Sequence, residues 1–147
     1  MKHSGLSAAI AIGLFITAAQ AYAQEPACSL KTVKGRYLFS TSGTILPPAF
    51  GVSVPTPGAS AGVNVFNGDG TGTATVTVRV NGSTFLSNAV VPLSYTVNPD
   101  CTGTYQVLVP NGPTFNIYVA PNGGEMATIA TDPGNYVSSI DVMVAPR

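Results

Sequence analysis

Apolar and polar residues alternate in short runs along most of this chain. The clearest run covers residues 73–80, where Ala74, Val76, Val78 and Val80 share one face and the other face carries Thr and Arg. Alternation with a period of two predicts a half-buried β-strand. The same criterion predicts eight strands, at residues 36–41, 62–66, 73–80, 89–97, 104–109, 114–119, 126–130 and 137–144.

Turn signals separate these runs, and the strongest are four Asn-Gly dipeptides beginning at Asn67, Asn81, Asn111 and Asn122. A two-residue type I′ turn needs positive φ at both central positions, which Gly adopts freely and Asn tolerates better than most residues. These turn signals between the apolar runs therefore predict a meander in which consecutive strands pair antiparallel.

An all-β fold with almost no helix follows from this pattern. Eight meandering strands can remove their exposed edges by closing, which predicts an eight-stranded antiparallel up-and-down barrel. The alternative is a two-sheet β-sandwich. In the run 89–97 the residues Val91, Leu93 and Tyr95 are expected to face inward, and Pro92 suggests a bulge or an edge because it cannot donate to the ladder.

The longest predicted connection is residues 42–61, which contain four prolines among glycines and small residues. Such loops in compact domains are often functional. One interpretation is a lid over the barrel mouth, with Ile45 and Phe50 as apolar contacts. The other, which is favoured because no polar residue of the loop resembles a binding site, is a passive excursion with an extra short strand at residues 50–54.

Residues 1–23 have the features of a signal peptide: a short basic start, an apolar stretch and a small-residue cleavage site at Ala21-Tyr22-Ala23. The prediction is a single β-barrel domain at residues 24–147 that is secreted or periplasmic. No second apolar stretch is long enough to span a membrane. A lipoprotein acylated at Cys28 is disfavoured, because the usual aliphatic residue is missing from the segment before it.

Cys28 and Cys101 are the two cysteines of the chain. Disulfides persist outside the cytoplasm, so the export signal favours a bridge between them. The bridge would close a loop of roughly 70 residues, which the chain-entropy model values at about 4 kcal/mol.

Residues 24–147 carry five basic and six acidic side chains, a formal charge of −1. This balance gives no electrostatic footprint for nucleic acid or an anionic membrane. The low charge also gives little protection against association, so a homo-oligomer is compatible with the sequence.

Candidate chemistry is sparse. The single histidine, His3, lies in the predicted signal peptide, so no Ser-His-Asp or Cys-His site and no imidazole metal site are predicted. We predict no catalytic residue, no metal and no cofactor; calcium at residues 67–70 would have too few carboxylates. Asp141 shares a strand face with Val137 and Met143, and if buried it would need a partner such as Arg36 or Arg79. A structural or outward-facing Asp141 is the favoured interpretation.

Three segments, residues 35–40 (GRYLFS), 66–72 (FNGDGTG) and 95–103 (YTVNPDCTG), follow the predicted signal peptide in this order. They resemble small uncharacterised secreted bacterial proteins related to the allene oxide cyclase and dirigent barrels. The resemblance implies a barrel with an apolar cavity. None of the functional residues of those families matches a position here, so the resemblance implies no catalytic residue.

Two functional hypotheses belong to different classes. One is a binding module that holds a small apolar molecule in the barrel, and the other is a structural or interaction protein with a filled core. An isomerase or cyclase is a third interpretation, which would need a polar residue in an otherwise apolar cavity; tyrosines such as Tyr105 could supply hydroxyls, although packing is their commoner role. The candidate cavity-lining residues are Tyr37, Phe39, Val76, Val78, Leu93, Tyr95, Val107 and Ile117.

Overall fold

A computed structural model describes residues 27–144. The predicted signal peptide and the ends of the predicted domain, residues 24–26 and 145–147, lie outside the described residues. The strands are β1 (Gly35–Ile45), β2 (Thr56–Phe66), β3 (Thr71–Val80), β4 (Ser83–Val97), β5 (Thr102–Val107), β6 (Thr114–Val119), β7 (Glu125–Ala130) and β8 (Asn135–Val144).

The eight strands form a closed antiparallel barrel. Each strand pairs with the next along the chain, and β8 returns to pair with β1. Closure leaves no free sheet edge, which removes the usual template for edge-to-edge aggregation. The predicted fold is confirmed, and the sandwich alternative is wrong.

One Asn-Gly pair forms the turn that the sequence predicts. Asn81 and Gly82 have φ values of 49° and 78° and join β3 to β4 as a two-residue hairpin. At the other three pairs only one of the two residues has positive φ, and the connections are longer. The dipeptides therefore mark the strand boundaries correctly, but the type I′ prediction is wrong at three of the four sites.

The connection predicted at residues 42–61 is shorter in the structure. Strand β1 continues to Ile45 and β2 begins at Thr56, and small residues pair across this extension, such as Gly43 with Gly58. Small residues lack the apolar alternation that identifies a strand, although their backbones pair as well as any. The remaining connection, residues 46–55, holds a 3₁₀ turn at Ala49–Gly51, so the short strand predicted at residues 50–54 is wrong.

The irregularity predicted at Pro92 lies elsewhere on β4. Pro92 is in register with Thr73, and its carbonyl accepts a hydrogen bond from the Leu108 amide just beyond the end of β5. The ladder shifts instead opposite Val76 and Val78, near Asn88, which has a φ of 48°. Pro92 is accommodated because the β4–β5 ladder ends beside it.

One end of the barrel is closed by the segment that precedes β1. A 3₁₀ helix at Leu30–Val33 places Val33, which is fully buried, against the core. The Tyr95 hydroxyl lies 3.2 Å from the Leu30 carbonyl oxygen and accepts a hydrogen bond from the Gly68 amide. Aromatic and large aliphatic side chains fill this half of the lumen: Tyr37, Phe66, Leu93, Tyr95, Ile117, Val119 and Met126.

The predicted disulfide is present. Cys28 and Cys101 are bonded, with Cα atoms 5.0 Å apart and a sequence separation of 73 residues. The Cys28 amide also donates to the Pro99 carbonyl in the β4–β5 turn. The bridge thus fixes the closing segment to the barrel, and a disulfide fits a protein outside the reducing cytoplasm.

Candidate functional site

The opposite half of the barrel contains a cavity of about 890 Å³. Its mouth is surrounded by the β1–β2, β3–β4, β5–β6 and β7–β8 connections, and it extends inward to Asn64 and Tyr105. Pockets of roughly 300–1,000 Å³ are typical of small-molecule sites in proteins. The cavity is therefore large enough for a ligand of that class.

Four of the eight predicted lining residues line this cavity: Phe39, Val76, Val78 and Val107. The other four, Tyr37, Leu93, Tyr95 and Ile117, belong to the packed core at the closed end. All eight face inward, as the alternation predicts. The error lies in their height along the barrel axis, because a period of two identifies the inner face of a strand but not the layer that a residue occupies.

Part of the Pro-rich connection lies at the mouth of the cavity. Pro48, Ala49, Phe50 and Gly51 line the opening, and the Phe50 ring contacts Phe85 of β4 edge to face, with centroids 6.5 Å apart. The Leu46 amide donates to the Gly134 carbonyl at 2.7 Å, which fixes the base of the connection to the β7–β8 turn. This placement favours the lid interpretation over a passive excursion.

A layer of polar side chains lies between the packed core and the cavity. Thr41 and Ser60 are hydrogen-bonded on β1 and β2, with their hydroxyl oxygens 2.7 Å apart. Thr128 and Ser139 form a second hydroxyl pair on β7 and β8, at 2.8 Å. Each pair satisfies groups that burial removes from water.

Asp141 is the buried acid of this layer and is completely inaccessible to solvent. Asn64 Nδ2 donates to its Oδ2 at 3.1 Å, and the Ser139 hydroxyl donates to its Oδ1. Burial raises the pKa of the Asp141 carboxyl, and these two hydrogen bonds partly oppose the rise. Asp141 thus lies on the inner side of the strand, so an outward-facing Asp141 is wrong, whereas its hydrogen bonds fit the structural role that was favoured with it.

Neither predicted arginine partner is buried. Arg36 and Arg79 are both exposed. Arg36 directly precedes the inward-facing Tyr37 on β1, so its side chain points outward. The Arg79 guanidinium lies at the cavity mouth and donates to the Gly82 carbonyl. The barrel satisfies Asp141 with an amide and a hydroxyl, which avoids the desolvation of a second charge.

Two tyrosines on other strands, Tyr37 and Tyr105, are close enough to Asp141 to feel its charge. Burial raises the pKa of Tyr37 to about 12, with further contributions from Tyr95 and Asp141, and its hydroxyl donates to the Gly123 carbonyl. Burial also raises the pKa of Tyr105, which lines the cavity, and Asp141 adds to this effect while hydrogen bonding with Thr128 and Asn64 opposes it. Both phenols are therefore neutral near pH 7.

Asn135 lies in the cavity wall at the start of β8, opposite Ile45 of β1. The residue is buried, and its Oδ1 has no hydrogen-bond partner among the described residues. Sequence reasoning missed both Asn135 and Asn64. Asn64 carries a usable signal, because it is the polar exception on the inner face of the otherwise apolar run 62–66.

No protein-family model, curated protein or solved structure matches this chain. The resemblance to the allene oxide cyclase and dirigent barrels stays a prediction. Within residues 27–144, no three His, Cys, Asp or Glu side chains are grouped as metal ligands. In the same part of the chain, no helix has the length and apolarity needed to cross a membrane.

Proposed function

We propose that this protein is a secreted or periplasmic binding module that holds a small, mainly apolar molecule inside its barrel. The observation that carries the proposal is the cavity of about 890 Å³ at one end of an otherwise packed lumen. An open lumen in this half argues against the filled-core alternative, in which inward side chains would occupy the space.

The two halves of the barrel have different roles in this proposal. The closed half, with its disulfide and aromatic core, keeps the strands fixed so that the cavity is largely pre-formed. Apolar walls favour ligand transfer from water by roughly 25 cal/mol for each Å² buried. The Phe50–Phe85 contact lies at the mouth, where it can separate to admit a ligand.

Probe binding to a blocked cavity tests the proposal. The neutral dye N-phenyl-1-naphthylamine is titrated into the wild-type protein and into the V76W and T75W variants. Val76 lines the cavity, and its neighbour Thr75 is exposed on the outer face of the same strand, so T75W is a matched control. The chain has no tryptophan, so each variant also carries a single fluorescent reporter.

We expect the wild type and T75W to bind the dye with similar affinity and V76W to lose at least tenfold. Circular dichroism verifies that both variants are folded, and A74F provides a second cavity-filling change if V76W is not. Equal binding by wild type, T75W and a folded cavity-filling variant would place the dye elsewhere and contradict the proposal.

A barrel isomerase or cyclase is the second candidate, because polar groups do lie in the inner part of the cavity. Tyr105 and Asn64 line it, and Asn64 is hydrogen-bonded to the buried Asp141. Incubation of a bound ligand with the wild type and with D141N, followed by mass and chiral analysis, separates the two functions. Turnover that D141N abolishes would favour the enzyme, whereas unchanged ligand favours the binding module.

A further inference from the structure

The orphaned oxygen of Asn135 is the feature of the cavity that packing does not explain. The residue is 5% exposed, and its backbone amide is already used by the Asp132 carbonyl. Its Oδ1 has no partner among the described residues. A buried acceptor without a donor is destabilising, and native proteins pair nearly all such groups, so each exception calls for a partner or role that the fold alone does not supply.

The side chain of Asn135 lines the cavity, so a ligand can supply the missing donor. The torsion about the Cβ–Cγ bond of Asn has a broad distribution. Rotation about this bond turns Oδ1 toward the lumen without moving the backbone. A ligand hydroxyl or amide N–H at the wall of the cavity would then donate to Asn135.

The charges around the cavity exclude an ionised group deep inside it. Arg79 and Asp132 are the charged side chains that line it, and both lie at the mouth. Arg79 is exposed and donates to the Gly82 carbonyl, and the Asp132 carboxylate accepts from the Thr114 amide at 2.7 Å. A carboxylate within the lumen would lose its hydration with no cation beside it.

We propose that the cavity selects a neutral apolar molecule that bears a hydroxyl or amide N–H group, and that Asn135 determines this specificity by accepting that hydrogen. The inference rests on the proposed binding function. The polar group of the ligand lies beside Asn135, at the start of β8. The apolar body of the ligand occupies the space between Val76, Val107 and Phe39. An acceptor-only molecule of the same shape leaves Asn135 unpaired.

Competition among three matched ligands tests this proposal. 1-Decanol, its methyl ether and decanoic acid each displace N-phenyl-1-naphthylamine from the wild type, N135L, N135A and the control N116L at pH 7.5. Asn116 is exposed on β6, so its replacement leaves the cavity unchanged. The alcohol has the donor, the ether has only an acceptor, and the acid is ionised at this pH.

For the wild type and N116L we expect the alcohol to bind about tenfold more tightly than the ether, which is the value of one hydrogen bond. Decanoic acid should be the weakest. In N135L and N135A the alcohol and the ether should bind alike. N135L should also raise Tm by about 3 °C, because an isosteric apolar side chain removes the orphaned acceptor.

The outcomes separate the two proposals. If the wild type binds the dye but does not prefer the alcohol over the ether, the role of Asn135 is overturned and the binding function stands. The same holds if N135L and N135A both keep the preference for the alcohol. Tighter binding of decanoic acid than of decanol would overturn the neutral-ligand class. A wild-type protein that binds neither dye nor ligand would overturn both proposals.

Discussion

Single residues in the interior show how this barrel handles polar groups. Asp141 is satisfied by Asn64 and Ser139, and hydroxyl pairs on adjacent strands satisfy each other. The sequence placed Asp141 on the face shared with Val137, but it could not identify its partners. Ser139 is two residues away on the same strand, but Asn64 is 77 residues away on β2 and becomes a neighbour only when β8 closes on β1.

The raised pKa of Asp141 predicts how stability depends on pH. The folded protein holds this proton more tightly than the unfolded chain does, so the stabilisation is fully present below the unfolded pKa and is lost as the pH rises through the folded pKa. Thr71 and Thr102 lower the pKa values of the exposed Asp69 and Asp100 through hydrogen bonds. Their contribution has the opposite sign and is lost as the pH falls.

Comparison with D141N isolates the effect of Asp141. At about pH 4 we expect D141N to be less stable by about 1 kcal/mol, because one carboxyl oxygen that accepts a hydrogen bond becomes an NH₂ group. The difference should shrink as the pH rises to about 8. Guanidinium unfolding across this range provides the free energies, with E125Q as an exposed control. A difference that grows with pH would show that Asp141 is charged and stabilising.

At the scale of elements, two turns at the closed end have the same design. In each, an Asp accepts from the amide and the hydroxyl of a Thr two residues later, and an Asn side chain donates to that hydroxyl. The turns span residues 67–71 (NGDGT) and 98–102 (NPDCT). Both Asp residues stabilise their turns in the way that is common for Asp, which bonds nearby backbone groups.

Removal of the Thr71 hydroxyl tests the first of these turns, residues 67–71. We expect T71V to lower Tm by a few degrees, because Thr71 Oγ1 both donates to Asp69 and accepts from Asn67. T73V is the matched control on the outer face of the same strand, where the described residues give its hydroxyl no hydrogen bond. Differential scanning calorimetry measures both, and equal Tm values for the two variants would contradict this role.

The closing segment before β1 depends on the disulfide. We expect the C28S/C101S double variant to lose about 4 kcal/mol of unfolding free energy by the chain-entropy model, since the bridge spans 73 residues. Urea denaturation under oxidising and reducing conditions measures the loss. If reduction leaves the wild-type midpoint unchanged, the bridge does not stabilise the barrel.

The contact between Phe50 and Phe85 at the cavity mouth is expected to control how fast a ligand leaves. We expect F85A to accelerate release of N-phenyl-1-naphthylamine severalfold, because the Phe50 ring loses its contact across the mouth. V90A removes an apolar side chain that is 70% exposed on the same strand and serves as the control. Stopped-flow dilution measures both release rates. Equal rates for F85A and the wild type would exclude Phe85 from gating.

The whole molecule is a barrel with one filled half and one open half. Strand number and order followed from alternation and turn residues, because these are local properties of the chain. The position of the cavity did not follow from them, because it depends on which inward-facing side chains lie at the same level along the barrel axis. Large side chains such as Tyr37, Phe66 and Met126 meet in the closed half, whereas smaller side chains such as Ala74 and Val76 line the open half.

Native mass spectrometry of the disulfide-bonded protein, purified without detergent or organic solvent from the organism that makes it, tests the ligand-binding account most directly. The account predicts a retained small-molecule mass on the wild type and on T75W that is absent from V76W, and a retained compound that is neutral and carries an O–H or N–H group. A wild type that has no bound mass and also fails to take up the probe dye, or a bound mass that V76W retains in full, would contradict the central claim.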